Sequence, residues 1–372
     1  MTSLNIAKDF LFPFNKDRGM EFISEIWGRS PLFICVIATT ETAKIPGISA
    51  AGKNPELTDY TPAADVELLI YKECKCIKGL PVTPEGIPTP AIITMSALEL
   101  ADIPFIVVDA GTKIKPNTPY VTVGGEPGEN IRLGRAVKNP EEIFRRSCIL
   151  GSNLAKLVDY IVIGESIPGG TTTALGLLIA MGIDAEGKVS SSMPNNPHSL
   201  KERVVMEGLT AAGYRKGDLK QDPLTAVSVV GDPMMIAFAG LVAGAGKNIP
   251  VIMAGGTQMA AVLAILKFMK PDILDNVIIG TTRWIIEDES SDLVGLVSQI
   301  EKIPIIAANL NFSSSRYSGL KAYERGVVKE GVGAGGITIS AISKLKGKIN
   351  CKNIVSKIEE NYKNLLAKIP IS

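Results

Sequence analysis

Glu330 stands in Lys329-Glu330-Gly331-Val332-Gly333-Ala334-Gly335-Gly336, a single carboxylate among residues small enough to admit a ligand, directly before a helical pattern. A carboxylate so placed suits proton abstraction, which makes Glu330 the best candidate base in the chain; the alternative is a solvated glutamate in a surface turn. Glu165 stands at the mouth of a second strip, Gly164-Glu165-Ser166-Ile167-Pro168-Gly169-Gly170-Thr171-Thr172-Thr173-Ala174, which follows the apolar run Tyr160–Ile163. That strip reads as a buried strand, a small-residue loop and a helix start. Gly169 and Gly170 permit close backbone approach, and Thr171, Thr172 and Thr173 bring hydroxyls and free N–H groups to the positive end of a helix reaching Met181. Such a junction holds a phosphate, or it is an ordinary turn whose glycines only reverse the chain. In the second case Glu165 serves the helix dipole and takes no part in chemistry.

Other chemistries have little to work with. The chain holds one histidine, His198, so a zinc hydrolase or a Ser-His-Asp triad would depend on that residue alone. It sits in the loop Pro194-Asn195-Asn196-Pro197-His198-Ser199 and reads as part of a helix start, which leaves acid–base work to carboxylates. Cys35, Cys74, Cys76, Cys148 and Cys351 are an odd count without framework spacing, and Cys74-Lys75-Cys76 lacks the second pair or nearby histidine that zinc needs. Neither metal nor cofactor is expected. With 39 Lys+Arg against 38 Asp+Glu the formal charge is +1, so partners are expected to be small molecules rather than nucleic acid or a membrane. Free cysteines, and a start lacking a charged segment followed by an apolar run, point to the cytoplasm. Pro233–Leu266 carries only Lys247 as a charge, yet Gly246-Lys247-Asn248 and Gly255-Gly256-Thr257-Gln258 interrupt it. It reads as a buried helix, strand, loop and helix, not as a membrane span.

The elements that must position these residues alternate as βα units, which predicts an α/β fold: a doubly wound, mostly parallel, Rossmann-like sheet. Six strands are expected, at Leu32–Ala38, Phe105–Asp109, Tyr160–Gly164, Pro250–Ala254, Val277–Gly280 and Pro304–Ala307. Helical patterns cover Thr61–Lys72, Pro140–Leu157, Thr172–Met181, Leu200–Ala212, Pro233–Ala245, Gln258–Phe268, Asp292–Ile300 and Gly335–Ser343. Ligands of such sheets bind outside the carboxyl ends of the strands, which directs attention to Thr39–Ala51, Ala110–Pro116, Glu165–Thr173, Gly255–Thr257, Thr281–Arg283 and Asn309–Ser315. Residues 31–345 are expected to form the α/β domain, with the Lys-rich amphipathic segments 1–30 and 346–372 as a small helical accessory unit. The proline-rich piece Pro81–Pro90 is expected as an ordered loop.

Taken in order, the motifs resemble one family. Gly164–Thr172 is similar to the Gly-Glu-x-x-x-Gly-Asn-Thr-Thr segment of nicotinate-nucleotide:dimethylbenzimidazole phosphoribosyltransferases, which make the lower-ligand nucleotide of cobamides. Glu330-Gly331-Val332-Gly333-Ala334 resembles their Gly-Glu-Gly-x-Gly-Ala segment, which carries the general base. Asp222-Pro223-Leu224-Thr225-Ala226 with Val230-Gly231 resembles Asp-Pro-Leu-x-Ala…Val-Gly-Gly, and Ile249–Gly256 resembles an Ile-Pro-Val strand with an Asp-Gly loop. Pro46-Gly47-Ile48-Ser49-Ala50 is similar to the Gly-Val-Ser-Ala that borders the base pocket, and Phe105–Gly111 to a Val-Val-Asp-Val-Gly strand end. The order holds from about Leu32 to Leu345. Departures gather at the base: Thr171 replaces Asn, Ala254 replaces Asp and Ala51 an aromatic, and no Gln stands near Ala63 or Ala64. Gly280-Thr281-Thr282-Arg283-Trp284 lies where Ser-Ala-Glu-Pro-Gly-His is usual. The resemblance is therefore to a divergent, archaeal branch.

The resemblance implies a homodimer that moves 5-phosphoribose from nicotinate mononucleotide to a benzimidazole-like or purine nitrogen base, giving an α-nucleotide and nicotinate. It assigns Glu330 and Glu165 as catalytic, and Gly169, Gly170, Thr171, Thr172, Arg203, Gly255 and Gly333 to phosphate and ribose, with Arg203 in the place of a family lysine. Ile48, Ser49 and Ala50 would bind the base. Two other readings stay open. One is a Mg²⁺-dependent phosphoribosyltransferase using pyrophosphorylated ribose, although Gly164 stands where that class carries an acid. The other is a nucleotide-binding protein of the cobamide pathway without catalysis.

Overall fold

The computed structural model describes residues 8–51, 54–83 and 85–368. Its frame is one sheet of eight strands: β1 Phe10–Phe14, β2 Pro31–Ala38, β3 Phe105–Gly111, β4 Val121–Thr122, β5 Tyr160–Ser166, β6 Val251–Ala254, β7 Val277–Thr282 and β8 Ile305–Ala308. Their order across the sheet is β1-β8-β7-β6-β5-β2-β3-β4. Every neighbouring pair is parallel except β1 with β8. The six expected strands are present within two residues of their expected bounds; the count of six is not. β1 escapes a periodicity reading because it is a short edge strand containing Pro13, whose missing N–H is harmless only where no partner waits. β4 is two exposed residues, too short to leave a pattern.

All eight residues of β2 are buried, as a central parallel strand covered on both faces requires. Alternation divides them: Leu32, Ile34 and Val36 join one core, whereas Phe33, Cys35 and Ile37 join the other. The helices divide likewise. One layer holds α4 Pro140–Leu154, α5 Gly170–Ala180, α6 His198–Ala211, α7 Pro223–Val230, α8 Pro233–Ala245, α9 Gln258–Met269 and α10 Leu293–Ile300. The opposite layer holds α1 Lys16–Ile26, α2 Thr61–Tyr71, α3 Ala91–Ala101, α11 Ala334–Lys344 and α12 Cys351–Ala367. The apolar stretch around 233–266 is α8, β6 and α9, with every residue of α8 buried. Among the described residues no helix is long and apolar enough to cross a membrane.

The terminal segments differ from the expected accessory helices. β1 extends the sheet, and the ladder continues where Asn309 N–H donates to the Asp9 carbonyl at 2.8 Å. α1 and α12 bury Ile23, Ile26, Ile354 and Ile358 in the second core. The accessory expectation for residues 1–7 and 369–372 lies outside the described residues.

The chain runs outward from β2 through β3 to β4, and in the other direction from β5 through β6 and β7 to β8. The strand order therefore reverses between β2 and β5, where a crevice opens at the strands' carboxyl ends.

Candidate active site

At that crevice lies a cavity of about 490 Å³, within the range that holds small-molecule ligands. Both glycine-rich strips reach it. Glu165 and Ser166 end β5 as strand residues, two residues beyond the expected bound, and Gly169 turns the chain into α5 with φ of 79°. A Cβ at Gly170 would meet Gln258 Oε1 at 2.1 Å, so the turn and the Gln258 side chain are closely packed. The second strip follows β8 and leads into α11. Val332 N–H donates to the Glu165 carbonyl at 2.8 Å, and a Cβ on Gly164 would sit 2.7 Å from Gly333 Cα. The two strips thus touch backbone to backbone, which their glycines allow.

The segment carrying Glu330 is strained. Val328, Lys329 and Val332 have φ of 69°, 65° and 54°, a region L-residues occupy at a cost of about 1–2 kcal/mol each, most severely for β-branched valine. Four hydrogen bonds over-determine it: Thr282 Oγ1 donates to Lys329 O at 2.7 Å and Thr94 Oγ1 to Val332 O at 2.8 Å. Val328 N–H donates to Ser192 O at 3.2 Å, and Val332 N–H to Glu165 O as above. Such strain gathers where geometry serves a site.

Glu330 is partly open to the cavity. Its carboxylate accepts from Gly331 N–H at 3.1 Å and from Gly335 N–H at 3.2 and 3.3 Å, so it rests on the amino end of α11. Enclosure in protein pushes its pKa up to about 7 against these donors, which pull it down. Glu165 is 3% exposed, and its Oε1 accepts from Gln258 Nε2 at 3.2 Å. Burial first, then the like charges of Glu330 and Asp232, hold its carboxyl well above the ordinary range. A pair of acids with raised affinity for protons at a sheet's switch point is suited to moving one proton near neutral pH.

Of the other expected site residues, Gly169, Gly170 and Thr171 line the cavity, as do Ile48, Ser49 and Ala50. Thr172 lies behind the loop, fully buried, with its hydroxyl unpartnered. Gly255 and Gly333 are outside the lining; Gly333 packs on Gly164, and Gly255 on its own helix through Met259. Arg203 is corrected: it is exposed on α6 and does not reach the cavity. A buried cation is Lys201, two residues earlier, whose Nζ donates to Ser190 O at 2.7 Å and Asn196 Oδ1 at 3.1 Å; Lys329 is buried too, paired with Asp288 at 3.0 Å. Desolvation, then the charge of Lys329, lowers the Lys201 pKa to about 7.

Three further features were passed over in the sequence. Gln258 sits between Glu165 and the Gly169–Gly170 turn, its Oε1 buried without a partner. Ser190, Ser191 and Ser192 line the cavity opposite Thr171, and Ser190 N–H donates to Thr257 Oγ1 at 2.9 Å. Asp65 on α2 is 3% exposed and lines the other side. The signal for Asp65 was present: two acids, Asp65 and Glu67, interrupt the apolar run Pro62–Ile70, and both are buried, where only a partnered carboxyl survives. Outside the cavity, Lys44 and Lys113 each pair with both Glu41 and Asp59 at 2.8–3.2 Å, which ties the loop after β2 to the turn before α2.

Comparison with known proteins agrees with this architecture. Residues 91–284 match a family model described as phosphoribosyltransferase. The UPF0284 protein of Methanothermobacter thermautotrophicus is 47% identical over 350 residues, spanning 93% of this chain and 96% of that one. The UPF0284 protein of Sulfolobus acidocaldarius is 48% identical over 353 residues, spanning 93% of this chain and all of that one. In fold, the chain is similar to the crystal structure of CobT from Thermus thermophilus, with a TM-score of 0.56 and 17% identity over 92% of this chain and 94% of that one.

Proposed function

The chain belongs to the nicotinate-nucleotide:dimethylbenzimidazole phosphoribosyltransferase family, in its archaeal UPF0284 branch, and from that premise we propose that it transfers 5-phosphoribose from nicotinate mononucleotide to a nitrogen base. The observation that supports this best is the direct contact of the two strips, Val332 N–H on the Glu165 carbonyl, which gives one cavity both an anion cradle and a carboxyl able to take a proton.

In this reading the 5-phosphate sits at the amino end of α5, against the backbone of Gly169 and Gly170 and the hydroxyls of Thr171, Ser191 and Ser192. Lys201, behind Ser190, supplies positive charge from below. Gln258, whose Nε2 donates to Glu165, steadies that carboxyl beside the ribose. The acceptor's ring nitrogen attacks C1 of the ribose from the side opposite nicotinate. Its lone pair forms the new C–N bond while the electrons of the old one return to the pyridinium nitrogen, so the leaving group is neutral at that atom and needs no acid. The N–H proton of the acceptor passes to Glu330. Configuration inverts, and an α-nucleotide and nicotinate result.

Positioning supplies most of the acceleration and the base a further 10²–10⁴ or so. Incubation with nicotinate mononucleotide and a panel of bases, with chromatography of nicotinate and of the new nucleotide, tests the reading. Binding of nucleotide without release of nicotinate would favour a binding protein instead. Assembly as a homodimer belongs to the same proposal, and light scattering after size exclusion checks it.

A further inference from the structure

β5 divides the cavity into two ends. Successive side chains of a strand point to opposite faces, so Glu165 faces Gln258 on α9 whereas Ser166 faces Asp65 on α2. The Glu165 end carries the glycine turn, Thr171 and the serines. The Ser166 end is walled by apolar groups, among them Leu57, Tyr60, Ile77, Leu80 and Pro81. One carboxyl interrupts that wall. Asp65 Oδ1 accepts from Thr89 Oγ1 at 2.7 Å, and Oδ2 from Ser166 Oγ at 2.7 Å. Burial raises its pKa to about 6 while the two hydroxyls oppose the rise, so the group is ionised at neutral pH.

A carboxylate offers about four acceptor positions, and the two hydroxyls take one on each oxygen. About two positions remain, and Asp65 lines the cavity at the end remote from the proposed phosphate cradle, where the acceptor must lie in the transfer reading. Resting on the transfer reading above, we propose that Asp65 is the specificity-determining residue of the acceptor end. It selects a base that bears an N–H or O–H donor on the ring edge away from the attacking nitrogen, such as an aminopurine or a hydroxylated benzimidazole, over a base methylated there.

A base filling this apolar wall closes Asp65 off from solvent. A donor edge then fills an acceptor position that the two hydroxyls leave open, whereas two methyl groups leave that position of a buried negative charge unmet. Sites built to hydrogen-bond a donor reject analogues lacking it by as much as about 10⁴–10⁵-fold.

Calorimetric titration of adenine, 5-hydroxybenzimidazole and 5,6-dimethylbenzimidazole into the protein tests the proposal without requiring turnover. The wild type should bind the first two at least tenfold more tightly than the third. Asp65→Asn, which retains one acceptor, should bring the three within about threefold, and Asp65→Leu should reverse the order. Thermal melts confirm that each variant is folded, and Asp65→Asn alone suffices if the leucine variant is not. Equal binding of all three by the wild type, a ratio unmoved in the variants, or binding of none would overturn the proposal. Nicotinate release from nicotinate mononucleotide is measured separately. A base preference without release would sink the transfer reading alone, and release without preference would sink this one.

Discussion

Replacing Glu330 by glutamine removes a proton acceptor and little else. The amide oxygen can still accept from Gly331 and Gly335 N–H, so the amino end of α11 stays capped and the loop keeps its course. The loss should be of turnover, by about 10²–10⁴, with nicotinate mononucleotide affinity within about threefold of wild type. The pH dependence is more discriminating. With a pKa of about 7, Glu330 is in its base form in about one molecule in eleven at pH 6 and about ten in eleven at pH 8. Wild-type kcat/KM should therefore climb about tenfold across that interval, and the climb should vanish in Glu330→Gln.

Stability should move the other way. A carboxyl whose folded pKa is raised from 4.5 to about 7 binds its proton more tightly when folded, so the fold loses stability as pH rises between those values, by up to about 3 kcal/mol. At pH 8 the glutamine variant should melt higher than wild type, and at pH 4 the gap should close. Stopped assays of nicotinate release from pH 5.5 to 8.5, with melting curves at the same points, provide both readouts. A variant that turns over like wild type, or that retains an acid limb near 7, would refute the role given to Glu330.

Gly164→Ala drives a methyl into Gly333 Cα, so it should cost about 1–3 kcal/mol and lower kcat even where the protein stays folded, as denaturant titration and turnover will show. Arg203→Ala should leave nucleotide affinity within twofold, whereas Lys201→Met should weaken it at least tenfold; direct titration with nicotinate mononucleotide compares them. Because the Lys201 pKa is lowered from 10.5 to about 7, wild type gains stability as pH rises between those values and Lys201→Met does not, which melts at pH 7 and 9.5 can read. Nicotinate release should survive EDTA, since the pyridinium departs unaided, and abolition by EDTA would favour the reading with pyrophosphorylated ribose.

The central strands were legible because their neighbours dictate them. β2 and β5 are buried on both faces, so burial alone writes an apolar run into each. β1 and β4 lie at the sheet's edges, where pairing depends on a distant partner and little pattern results. The helix Ala91–Ala101 was overlooked for a related reason, since its unbroken apolar sequence is buried almost all round and shows no period. At the site, glycine marked the two strips because their backbones had to meet. Arg203 came from the resemblance, in the place of a family lysine, and only the packing of α6 beneath Ser190 shows that Lys201 is a cation turned inward. Asp65 and Gln258 act across elements far apart in the chain, and no local pattern announces such a partnership.

The segment around Glu330 keeps two valines in left-handed backbone and spends four hydrogen bonds holding them there. A piece of chain fixed against its own preference is slow to follow anything that arrives. The acceptor wall is made otherwise: from Cys76 to Val82 it is loop, anchored where Lys75 and Cys76 N–H donate to Glu67. Adjustment to an incoming ring therefore falls to one side only. A jaw that is stiff at its chemical tooth and compliant at its grip can change what it holds over evolutionary time without re-learning how to cut.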